Sequence, residues 1–168
     1  MRPLFRFFLI PALIGWLFSG CQERFEPKPL TYTQLLTGPN QKSWRLVSYQ
    51  IIDDGNSSPV VPVQGQFDPC ISDDLYTFYA GDERKYEASE GASKCSPTDP
   101  DVFITDQWTL TNANATLEFG FPLIGGGQRL PYTIKNLTGN VLTVELYLQN
   151  LADLNASYRF TFNAVTTK

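Results

Sequence analysis

Leu142, Val144, Leu146 and Leu148 occupy alternate positions with Thr143 and Glu145 between them, and Tyr158, Phe160 and Phe162 alternate in the same way with Ser157, Arg159, Thr161 and Asn163. A period of two puts one set of side chains on each face of an extended strand, so each segment has a definite inside. From Ser43 onward the chain consists of similar short runs separated by turn residues, and no helical period is long enough to compete. The expected strands are Trp44 to Ile52, Leu75 to Ala80, Lys85 to Ser89, Ile104 to Thr111, Thr116 to Phe121, Tyr132 to Leu137, Val141 to Leu148 and Ser157 to Ala164. Their connections at Asp53 to Ser58, Gly81 to Arg84, Asn112 to Ala115, Gly125 to Gln128 and Thr138 to Asn140 are short enough for sequential hairpins. The expectation is an all-β, antiparallel, up-and-down eight-stranded barrel, because closure removes the exposed edges that no helix is available to cover. A two-sheet sandwich is the alternative.

The first residues set an address. Arg2 and Arg6 precede an apolar stretch from Phe7 to Phe18, broken by Pro11 and Gly15, and Leu17-Phe18-Ser19-Gly20 leads into Cys21. The stretch is shorter than the roughly 20 residues a bilayer requires. A charged start, a short apolar run and small residues before a cysteine are arranged as in a bacterial secretory signal that ends in a lipidated cysteine. Residues 1–20 are therefore expected to be signal peptide, 21–31 a lipidated tether with Cys21 carrying acyl chains such as palmitate, and 32–168 one domain. Thr31 to Gly38 fits one helical turn across the mouth of the domain, with Thr33 as N-cap and Gly38 as stop.

With Cys21 assigned to lipid, Cys70 and Cys95 remain as an even pair in an exported chain, and a disulfide is the default reading. It would pin the irregular section Ser89 to Phe103. Closing a loop of about 25 residues restricts the unfolded chain by roughly 3 to 3.5 kcal/mol in the entropy model, given unstrained native geometry. Zinc is the poorer alternative, since the chain has no histidine to complete a tetrahedral shell.

Without Arg2 and Arg6 the remaining chain holds 11 basic and 17 acidic side chains, a net charge of minus six. The basic residues are scattered singly, so neither nucleic acid nor an anionic membrane surface is held by charge, and an acyl group must do the anchoring. The absence of histidine excludes Ser-His-Asp, Cys-His and His-ligated metal chemistry. Asp53 with Asp54 and Asp73 with Asp74 are adjacent carboxylates, yet neighbours in an extended chain point to opposite faces, and both pairs suit solvated turns. Asp99, Asp101 and Asp106 lack the spacing of a calcium loop. Gly125 to Gly127 lacks the Lys-Ser/Thr and the helix of a phosphate cradle. No catalytic residue, cofactor or metal site is expected.

Leu35, Leu36 and Gly38 before Trp44-Arg45-Leu46-Val47, the Cys70 to Cys95 section, Gln107-Trp108-Thr109-Leu110 and the final Tyr158-Arg159-Phe160-Thr161-Phe162 together resemble the lipocalin-like lipoproteins of Bacteroidota. Lys42 stands where lipocalins place a glycine before the first-strand tryptophan. The resemblance implies a barrel, a closing contact between Trp44 and Arg159, and an address in the bacterial cell envelope, at the outer membrane. Two functions stay open. The chain's 3 Trp, 8 Tyr and 12 Phe could line a cavity for a small apolar ligand, making the protein a lipid-anchored binding module. Alternatively the core is filled, and the protein is an interaction or accessory subunit of an envelope protein assembly. Either function is non-enzymatic.

Overall fold

The structure is a computed structural model that describes residues 28–53, 55–149 and 155–165. Cys21 and the signal segment lie outside the described residues. Helix α1 (Tyr32–Thr37) is followed by strands β1 (Gln41–Asp53), β2 (Asn56–Ser57) and β3 (Val61–Pro62), the short helix α2 (Pro69–Ser72), and β4 (Leu75–Tyr79) and β5 (Lys85–Ser89). Then come β6 (Val102–Gln107), β7 (Thr109–Thr111), β8 (Thr116–Gly120), a 3-10 turn at Gly125–Gly127, β9 (Arg129–Leu137), β10 (Val141–Gln149) and β11 (Asn155–Ala164).

One antiparallel sheet runs in the order β6-β5-β4-β1-β11-β10-β9-β8-β7, with β2 and β3 added on β1. Its two end strands are one run of chain, interrupted only at Trp108, which pairs with β5 through β6 and with β8 through β7. The sheet thereby closes on itself as an up-and-down barrel, eight-stranded when β6 and β7 are counted together, and the sandwich is excluded. Where β6 has left β8, the seam is filled by other groups. Gly127 packs its carbonyl over Gly120, where a Cβ would stand 2.3 Å from that oxygen, and the Arg129 guanidinium crosses from β9 to the Asp106 carboxylate.

The alternation read from the sequence selects the inside. Leu142, Val144 and Leu146 of β10 and Phe160 and Phe162 of β11 are buried, joined there by Tyr76, Phe78, Tyr86, Leu117, Phe119, Phe121 and Tyr132. The rings interlock, mostly edge to face: Phe121 meets Tyr76, Phe160 and Phe162 at 5.3, 5.0 and 5.7 Å between centroids, and Phe119 meets Phe78 and Tyr86 at 5.5 Å each and, in a tilted stack, Tyr132 at 4.6 Å. Such pairs add about 0.5–1.5 kcal/mol each beyond the area they bury.

One end of the barrel is closed by α1. Its N-cap is Thr31, two residues before the expected Thr33, because Gln34 at the third helical position completes a capping box with Thr31. The helix stops at Gly38 as expected. A helix leaves its last carbonyls unpaired, and β1 satisfies two of them: Trp44 Nε1 donates to the Leu36 carbonyl at 2.9 Å and Lys42 Nζ to that of Leu35 at 2.5 Å.

This arrangement corrects the expected contact between Trp44 and Arg159. Trp44 points inward opposite Ala164, whereas Arg159 stands opposite Gln50, five positions away along β11. Arg159 faces outward and pairs with Glu145 at 2.8 Å, its Nη1 reaching Gln50 at 3.4 Å. The cation over the Trp44 ring is Lys42, 5.2 Å from its centroid. Burial holds the Lys42 ammonium below the usual lysine range.

The expected disulfide is present, with the Cα atoms of Cys70 and Cys95 5.1 Å apart. It ties α2, which at four residues carries no readable period, to the loop before β6. Chemical denaturation separates the roles of Trp44 and Arg159. Trp44→Ala, which removes a buried indole and its hydrogen bond to α1, lowers stability by about 3–5 kcal/mol, while Arg159→Ala, which removes a partly exposed ion pair, costs about 1 kcal/mol or less. Equal losses would restore a closing role to Arg159.

Candidate functional site at the acidic end of the barrel

The end opposite α1 gathers the polar groups that the fold leaves without partners. Strands β4 and β5 pair as far as Leu75 with Ser89, and one further step of that register sets Asp74 across from Glu90. By alternation both follow the inward-facing Tyr76 and Ala88. Asp74 Oδ1, Glu90 Oε2 and Asp73 Oδ1 are buried with no hydrogen-bond partner among the described residues, and so are the hydroxyls of Tyr76, Tyr86 and Tyr132. Unmet buried polar atoms cost about 1–3 kcal/mol each, so Asp74 and Glu90, set across from one another beyond the last paired residues of β4 and β5, mark a candidate site.

Asp74 is the electrostatic centre. It is 7% exposed, and burial, followed by the charges of Glu90 and Asp73, pushes its carboxyl up to about 7. Like charges set directly across a strand pair are unfavourable unless one is neutralised, and retaining a proton on Asp74 does that. The tyrosines feel the same environment: burial raises the Tyr76 hydroxyl far above its ordinary range, with the charge of Asp74 next in effect, and Tyr86 and Tyr132 are also raised by burial. These hydroxyls remain neutral donors and acceptors at any physiological pH.

Asp73 points the other way. Its Oδ2 accepts a hydrogen bond from the Ser93 backbone N–H at 2.9 Å. The loop approaches so closely that a Cβ on Gly91 would stand 2.2 Å from the Asp73 carbonyl oxygen, which requires glycine there. The disulfide a few residues away in each direction, at Cys70 and Cys95, holds the two segments together.

The expectation that Asp73 and Asp74 are solvated turn charges is therefore corrected. They do take opposite faces, but Asp74 is buried in the mouth. Of the other singled-out acids, Asp53 pairs in β1 with Asn56, while Asp54 lies outside the described residues. Asp99 accepts from the Ser96 N–H, Asp101 pairs with Lys94 and Asp106 with Arg129, so these three do not converge. Among the described residues no three His, Cys, Asp or Glu side chains gather as a metal site. Gly125 to Gly127 forms the seam-filling turn.

The residues missed at the sequence level are Glu90 and the three tyrosines. One signal was present: Asp74, Tyr76 and Phe78 share a parity, so a carboxylate continuing the inward face of a strand was readable once the strand had been placed. No protein-family model matches the chain, and no curated protein matches it.

The raised Asp74 carboxyl dictates a pH dependence. The folded protein keeps this proton to higher pH than the unfolded chain, so the stability it contributes is full below the ordinary value of 3.8 and falls as pH rises to about 7. Asp74→Asn, which stays neutral throughout, should flatten the melting temperature between about pH 4 and 7 and raise it by about 2–8 °C at about pH 8. An unchanged slope would show that Asp74 titrates normally.

Proposed function

We propose that the protein is a lipid-anchored binding module of the bacterial cell envelope, non-enzymatic, in which a filled barrel serves as scaffold and the acidic end presents the site. The observation that carries this reading is the division inside the barrel. Interlocked aromatic rings occupy its middle, while Asp74 and Glu90, each with a buried oxygen that has no partner among the described residues, lie where β4 and β5 run past the rings toward the disulfide-tied loop.

The anchor is argued from the sequence: Arg2 and Arg6, the short apolar run and Ser19-Gly20-Cys21 supply the elements of a lipidation signal. Among the described residues no helix is long and apolar enough to cross a membrane. Closed β-architecture, a lipidated start and a disulfide suited to an oxidising compartment are all in keeping with the resemblance to lipocalin-like lipoproteins of Bacteroidota.

The ring packing supports a second reading as well, an accessory subunit of an envelope protein assembly that needs no cavity. A small apolar ligand within the barrel is supported least, since it would have to displace rings such as Phe119 and Phe121 from their mutual contacts.

Fractionation of cells that export the full chain tests the anchor. The wild-type protein should sediment with membranes, take up labelled palmitate and be released by detergent, whereas Cys21→Ala should be soluble and unlabelled. Membrane retention of the variant would contradict the proposal.

A further inference from the structure

A cleft of about 390 Å³ opens beside β1 and is lined by Arg45, Val47, Pro62, Gln64, Ser72 and Asp73 among others. Its origin is local. Strand β1 pairs with β4 from Gln41 to Trp44 and with β3 at Ser48 and Tyr49, so residues 45 and 46 have neither strand on that side, while the Val47 carbonyl accepts from the Val63 N–H at 3.0 Å. A register shift between Leu46 and Ser48 bulges the backbone at the same place, and bulges re-aim side chains. The crossing segment turns Val63 and Phe67 onto the barrel, Phe67 meeting Tyr49 at 5.9 Å, and leaves Pro62 and Gln64 on the cleft.

The walls carry opposite charges that do not meet. Arg45 Nε and Asp73 Oδ1 are each buried without a hydrogen-bond partner, and no ion pair joins the two side chains among those of the described residues. Asp73 cannot swing freely to the guanidinium, because the Ser93 N–H holds its other oxygen. A cleft with a fixed anion on one wall, an unpaired guanidinium on the other and aliphatic surface at Val47 and Pro62 is complementary to a ligand carrying both charges.

We propose that this cleft binds a small zwitterion with an aliphatic body, an amino acid or short peptide, its carboxylate on Arg45 and its ammonium on Asp73. The Gln64 amide and Ser72 hydroxyl supply further polar contacts at the rim. The proposal deepens, and rests on, the reading of the chain as a binding module.

Calorimetric titration of the full-length protein in detergent micelles tests it, using L-leucine and Gly-Leu as ligands and N-acetyl-Gly-Leu and Gly-Leu-amide as charge-blocked controls. At least one zwitterion should bind saturably, and blocking either charge should weaken binding about tenfold or more. Binding of leucine assigns the site to free amino acids, and binding of Gly-Leu alone assigns it to peptides. Arg45→Gln should abolish discrimination against the amide, and Asp73→Asn discrimination against the acetylated peptide. Absence of binding by folded wild-type protein, or equal binding of the blocked peptides, would overturn the proposal. Either result would leave the envelope reading intact where Cys21-dependent membrane association persists.

Discussion

The interlock of aromatic rings inside the barrel is the contact on which the rest of the structure depends. Phe119 and Phe121 lie side by side on one strand and its exit, and they touch rings from β4, β5, β9 and β11. One strand thus ties together elements that the sheet ladder links only by a long route. A barrel whose seam lacks continuous hydrogen bonding needs such cross-strand cohesion. The covalent continuity of β6 and β7 through Trp108, whose indole N–H donates to the Tyr79 carbonyl at 3.0 Å, provides the remaining closure.

Filling the middle has a consequence for the ends. At one, α1 supplies apolar cover through Leu36, and its carbonyls find donors on β1. At the other, β4 and β5 extend their inward faces beyond the rings into Asp74 and Glu90, and the disulfide-tied loop folds over them. Burial and repulsion there oppose stability. A perturbed carboxyl such as that of Asp74, beside a cleft, is a physical marker of a candidate site.

All eight expected strands form, with the Ile104 to Thr111 run broken at Trp108 into β6 and β7, since β order was encoded in local alternation and in turn residues such as Gly81 and Asn112. The cysteine pairing was legible because assigning Cys21 to lipid leaves Cys70 and Cys95 as the two cysteines for one bond. What alternation does not encode is the point where a strand breaks its own parity. The bulge at Val47 shifts the inward set from Trp44 and Leu46 to Tyr49, and with that shift Gln50 and Arg159 come together on the outside. The stacking partner of Trp44 could not be read either, since Lys42 takes that place through a neighbour on its own strand. Asp73 and Asp74 carry the composition of a turn, and only the loop folded over them from twenty residues away makes one of them a buried acid.

This end of the barrel keeps the Asp74 carboxyl from water while the rings fill the middle. Carbon-13 NMR titration of the Asp74 carboxyl carbon in the full-length protein tests this most directly. A midpoint near the expected value of about 7, moving downward when Glu90 is replaced by Gln, would establish a buried and mutually repelling pair at the mouth. A midpoint in the ordinary carboxylate range near 3.9, unmoved by Glu90→Gln, would mean that the end is open and solvated, and the site assigned to it would fall.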